Sequence, residues 1–159
     1  MSEETRDPRD SVMTEQQKRK NDKQKILDIT EAVVGLAQKA QEISTSQEYS
    51  EFVKACAMGM MVAAKLLANA INNPGNWYEA SFPDLEIQDN SEDQTALSEQ
   101  QVKDRLSVEW ALGQIADLTD RMYKASLSQP SRDYLKNAIE LIGFWVSKCF
   151  DYLKQPPKT

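Results

Sequence analysis

An all-α fold, an antiparallel up-down-up-down four-helix bundle, is what this sequence predicts, and two observations carry the prediction. Four stretches repeat apolar residues at alternating steps of three and four, which keeps one stripe in place along an α-helix. The links between the first two stretches and between the last two are short, as between antiparallel neighbours. The clearest stretch is Ser131 to Leu153, where Leu135, Ala138, Ile142, Trp145, Cys149 and Tyr152 form the stripe. Ile139, Val146, Phe150 and Leu153 widen it beyond a two-stranded coiled coil, so this helix wants neighbours on two sides.

In chain order, residues 1–23 mix both signs of charge with almost no apolar side chains and predict a disordered tail ahead of a bundle spanning 24–155. Thr14-x-x-Gln17 within it has the form of a capping box. The first helix is expected over 24–44, on Ile26, Ile29, Val33, Leu36, Ala40 and Ile43, and Ser44-Thr45-Ser46 stops it. The second is expected over 48–72, with Tyr49, Phe52, Val53, Cys56, Met60, Ala63, Ala64, Leu67 and Ile71 inside. Ala55, Met58, Val62 and Leu66 fall on its opposite side, so this helix is apolar nearly all round. Asn73-Pro74-Gly75 ends it.

From Asn76 to Leu97 runs a long acidic linker in which Glu79, Asp84, Glu86, Asp89, Glu92 and Asp93 meet no lysine or arginine. Trp77, Tyr78, Phe82, Leu85 and Ile87 are set among them, which argues that the first half packs on something. Ser98-x-x-Gln101 opens a third helix over 98–126, with Val108, Leu112, Ile115, Leu118, Thr119 and Met122 inside and Leu106 and Trp110 pointing away. Ser128-Gln129-Pro130-Ser131 links it to the fourth helix, over 131–154, and Pro156-Pro157 closes the fold. Phe144 is the odd residue of that helix, on its polar side near Asn137, Glu140 and Asp151.

Composition removes several classes of function. The chain has a formal charge of −6, which disfavours nucleic acid as a partner, because phosphate binding needs a basic face. It contains no histidine, the commonest general base and metal ligand. Cys56 and Cys149 are too far apart in sequence for a zinc motif and fall on apolar stripes, as buried thiols of a reducing compartment; a disulfide joining two helices is the alternative. No phosphate-cradling glycine loop or nucleophile elbow is present. Asp89-Asn90-Ser91-Glu92-Asp93 begins like a calcium loop, but Gln94 stands where glycine is needed and Gln100 where a bidentate glutamate is expected. No apolar run reaches the roughly 18 residues of a membrane span. The expectation is a soluble, cytoplasmic, non-enzymatic protein with no catalytic residues, cofactor or metal.

The stretch from Asn21 to Ala70, with Val33-x-x-Leu36 in one helix and Glu48-Tyr49-x-x-x-Val53-Lys54 opening the next, resembles the first two helices of focal adhesion targeting domains. Arg132-Asp133-Tyr134-Leu135 is similar to the helix start of vinculin and α-catenin bundles. The resemblance implies a protein–protein adaptor or scaffold at cell adhesions or the actin cytoskeleton. Such domains take up short amphipathic helices, such as leucine-aspartate motifs, in lysine-edged grooves between two helices. The long acidic linker departs from that pattern.

If the second and third helices are antiparallel neighbours, Met58, Val62, Leu66, Leu106 and Trp110 join in one strip edged by Lys54, Lys65 and Arg105, suited to an acidic amphipathic helix or short linear motif. Either a partner protein takes this strip, or Trp77, Tyr78, Phe82, Leu85 and Ile87 of the linker cover it and regulate access, or a second copy pairs through it. A membrane-active bundle is the contrasting reading, against which the acidic charge weighs.

Overall fold

The computed structural model describes residues 14–73 and 99–154, all of them helix or turn, so among the described residues there is no strand. The four helices are α1 (Glu15–Ser44), α2 (Ser50–Asn72), α3 (Glu99–Ser126) and α4 (Arg132–Lys154). The helical stretches agree with the apolar rhythm except at the start. Helix α1 begins nine residues before the expected position 24, because Thr14 caps it: its hydroxyl accepts from the Gln17 amide at 3.1 Å. The Lys, Gln and Arg residues that follow are good helix formers. A tertiary bond also holds this turn, the Gln129 side-chain amide donating to the Arg19 carbonyl at 2.9 Å. Residues 1–13, the linker residues 74–98 with Ser98 of the second capping box, and Pro156-Pro157 lie outside the described residues.

The two short turns end their helices with hydroxyls. Ser44 and Thr45 both donate to the Gln41 carbonyl at 2.9 Å, and Ser126 donates to that of Tyr123 at 2.6 Å. Each turn reverses the chain, so α1 and α2 are antiparallel, as are α3 and α4.

The topology differs from the expected up-down-up-down order. Three contacts set the direction of α3 against α1: Gln129 meets Arg19, Lys39 lies over Trp110, and the Gln47 amide donates to Asp104 at 2.8 Å. High numbers on one helix meet low numbers on the other, so α1 and α3 are antiparallel. Helices α2 and α4 are antiparallel too. Phe52 stacks on Tyr152 at 4.1 Å between ring centroids, the Cys149 thiol hydrogen-bonds with that of Cys56, and Gly59 abuts Trp145. The order is therefore up-down-down-up. Helix α1 packs on α2 and α3, α4 packs on the same two, and α2 and α3 stand parallel across the diagonal. Apolar periodicity fixes which face of a helix is buried, but a long link permits either direction for the next helix; here α3 begins at the end of the bundle opposite to where α2 stops.

The core lies on the expected stripes, with Ile26, Val33, Met60, Leu67, Leu112, Ile115, Met122, Leu135 and Ile142 fully buried. Leu36, Ile43 and Leu118 were expected on those stripes and are only half-buried, at the edges of their helices. Cys56 and Cys149 are buried free thiols. The hydrogen bond to Cys56, and burial, push the Cys149 thiol well above its usual range, which makes it a poor nucleophile.

Two buried polar atoms are left over among the described residues, the Gln47 side-chain oxygen and the Tyr49 hydroxyl at the head of α2, neither with a hydrogen-bond partner. Burial, with the nearby Asp104 carboxylate, pushes the pKa of Tyr49 up to about 12. An unfolded tyrosine ionises near 10. Between about pH 10 and 12 the native state holds this proton and the unfolded chain does not, so stability contributed below pH 10 is lost as pH rises. Tyr49→Phe is expected to stabilise the fold at neutral pH, by about 1 kcal/mol, since no bond is lost. It should also flatten the alkaline decline, measured as urea midpoints from pH 8 to 11.5. Equal alkaline slopes for both proteins would show that Tyr49 does not carry it.

Candidate partner-binding surfaces

Because α2 and α3 are diagonal, the expected single strip does not exist. Its α2 residues and its α3 residues lie on separate surfaces with α1 or α4 between them. The linker residues Trp77, Tyr78, Phe82, Leu85 and Ile87 lie outside the described residues, and the surface they were expected to cover is not assembled. Arg105 is buried and edges nothing, whereas Lys54 and Lys65 are exposed on α2.

On α3 the crest is Val102, Leu106 and Trp110, at steps of four, with Leu106 58 % and Trp110 53 % exposed. The steps place all three on the solvent side because the buried set Val108, Leu112, Ile115 and Thr119 occupies the opposite half of the helix. Lys39 of α1 reaches over the Trp110 ring, 5.1 Å from its centroid. That cation–π contact is worth about 0.5–1 kcal/mol at an exposed site and holds the indole on the α1 side. Lys103, also exposed, lies on the same side of α3 two turns before Trp110. Val102 was missed by sequence reading, although its spacing of four from Leu106 was available.

The second surface lies between α2 and α4. The register that sets Gly59 on Trp145 carries Val62 and Leu66, both half-buried, along the half-buried Leu141. Phe144 is 49 % exposed, as its place on the polar side of α4 predicts. It meets Trp145 edge-on at 5.3 Å, and Lys148 reaches its ring at 5.5 Å. Met58, 44 % exposed, faces outward on α2.

A third concavity, of about 710 Å³, opens at the end of the bundle where α2 stops. Its floor is Ala70, Ile71 and Leu135, and Arg19, Lys20 and Lys23 of α1 stand on its wall. It brings together no pair of groups that would act as acid and base or as nucleophile and base. Among the described residues no cluster of carboxylates or thiols could hold a metal ion, and no helix is long and apolar enough to cross a membrane. The chain matches no family model, and neither a curated protein nor a solved structure matches it.

Proposed function

We propose that this chain is a non-enzymatic adaptor or scaffold module that takes up an amphipathic helix of a partner protein. The observation that carries it is the Val102–Leu106–Trp110 crest with Lys39 over the Trp110 ring and the exposed Lys103 on the same side of α3. A large, rigid indole held at an apolar crest and edged by cations suits a helix that presents leucines on one face and carboxylates at its margins. The resemblance of its first two helices to focal adhesion targeting domains supports a setting in cell adhesion or the actin cytoskeleton.

The test is a titration of the protein, followed by Trp110-sensitive fluorescence and by calorimetry, with a panel of leucine- and aspartate-rich amphipathic peptides. Saturable binding, weakened at least about tenfold by Trp110→Glu, is the expected result. Absence of binding across the panel, or binding indifferent to Trp110→Glu, rejects the reading. Vesicle co-sedimentation and analytical ultracentrifugation on the same variants show whether lipid or a second copy takes the crest instead.

A further inference from the structure

We infer that the concavity at the end of the bundle is a binding site for a small, multiply charged phosphate ester free in solution. It arises because two helices that share one turn differ in length. Helix α1 has 30 residues and α2 has 23, so at 1.5 Å per residue α1 runs roughly 10 Å past the point where α2 stops. The stripe of α1 that faces the bundle continues into this overhang. Gln16, Arg19 and Lys23 precede Ile26, Thr30 and Val33 at steps of three, four, three, four and three, and the last three are buried. The inward stripe therefore turns from apolar to cationic where α2 ends, and Arg19 and Lys23 line the concavity with Lys20 beside them.

Charge decides the class of ligand. The described residues that line the concavity include these three cations and no carboxylate. Counted alike, the adjoining positions of α1 and α4 outside the lining are mixed, Lys18 and Arg132 against Glu15, Asp22 and Asp133. Among the described residues no ion pair engages Arg19, Lys20 or Lys23. A carboxylate neutralises one of the three, whereas a phosphate monoester brings about −1.5 to −2 charges and three acceptor oxygens. Arg19 suits it further, because a guanidinium grips phosphate oxygens through two donors at once.

Shape and polarity decide the rest. At about 710 Å³ the concavity has the volume of a small-molecule site. Its floor of Ala70, Ile71 and Leu135 is buried and offers little surface to an acyl chain. Gln16, Gln17 and Asn21 supply amide groups that match the hydroxyls of an ester's organic part. The frame is fixed in advance: the buried Gln129 donates its amide to the Arg19 carbonyl at 2.9 Å and ties the overhang to the α3–α4 turn. This site stands apart from the α3 crest, so the two proposals fail separately.

Calorimetry on the full chain with inorganic diphosphate and glycerol phosphate, and with acetate as a singly charged control, tests it. Saturable one-to-one binding of both phosphates, weakened as salt is raised, is the expected result. The methyl resonances of Ile71 and Leu135 and the side-chain amide of Gln129 should shift, while the methyls of Val102 and Leu106 stay in place. Arg19→Gln and Lys23→Gln should each weaken binding about tenfold and Arg19→Lys by less, whereas Lys65→Gln, at an exposed cation elsewhere on α2, should leave it unchanged. Melting curves of the Arg19 and Lys23 variants should match that of the parent, since neither side chain holds an ion pair. Absence of saturation, equal affinity for acetate, or binding indifferent to Arg19→Gln and Lys23→Gln overturns the inference. Arg19-dependent co-sedimentation with phosphatidic acid vesicles, without binding of the free phosphates, also overturns it and assigns the cations to a lipid headgroup.

Discussion

Cutting the connection between α2 and α3 to six residues is expected to destroy the monomeric fold, a loss comparable with a domain's whole stability of roughly 5–15 kcal/mol. Helix α2, with 23 residues, is about 35 Å long at a rise of 1.5 Å per residue. Its end and the start of α3 lie at opposite ends of the bundle. An extended chain covers at most about 3.3–3.6 Å per residue, so six residues reach about 20 Å and fall short before any sideways step to the diagonal helix. In an up-down-up-down bundle the same six residues would suffice, since such links are commonly 2–8 residues. A Gly/Ser series of 25, 18 and six residues separates length from side-chain content. The first two should fold as monomers, because the entropy of closing a loop changes slowly with its length. The six-residue variant should unfold or exchange helices between two copies. Circular dichroism melts with sedimentation measure this, and a monomeric six-residue variant with an unchanged melting temperature would refute the up-down-down-up order.

The second large effect concerns Gly59. Glycine within a helix ordinarily costs about 1 kcal/mol relative to alanine, so Gly59→Ala would be expected to stabilise if the site were open. It is not open. A Cβ built there comes within 2.5 Å of Trp145 Cε2 and Nε1 and 2.7 Å of Cδ2, about 1 Å inside normal carbon contact. Trp145 is buried, with Phe144 against its edge, so the indole must leave its place or the helices must part. Overpacking of this kind costs about 1–3 kcal/mol beyond the propensity gain. Gly59→Ala is therefore expected to destabilise. In a Trp145→Leu background, already weakened by a few kcal/mol, the same change should turn stabilising by up to about 1 kcal/mol. A double-mutant cycle in urea reads the coupling, and additivity would show that the glycine is not there for the indole.

Much of this was legible in the chain itself. Steps of three and four place Leu135, Ile142 and Cys149 inside and Trp110 and Phe144 outside, because periodicity reports which side of a single helix water leaves. Hydroxyl and proline runs mark the two short turns for equally local reasons. The early start of α1 was half legible: Thr14-x-x-Gln17 was present, but the bond from Gln129 that helps to hold that turn comes from the far end of the chain. What only the tertiary structure decided is the arrangement of helices in space. Nothing in residues 48–72 or 98–126 says whether those helices are neighbours, since each carries an apolar stripe that any of the other three would satisfy. The diagonal placement of α2 and α3 splits Met58, Val62 and Leu66 from Leu106 and Trp110, and it sets Val62 and Leu66 along Leu141 of α4 instead. Gly59 acquires its role in the same way: its missing side chain has meaning only once Trp145, distant in sequence, packs against that face. A stripe is set by bonds within one helix, whereas a groove needs two, and the choice of the second rests on the joint packing of all four.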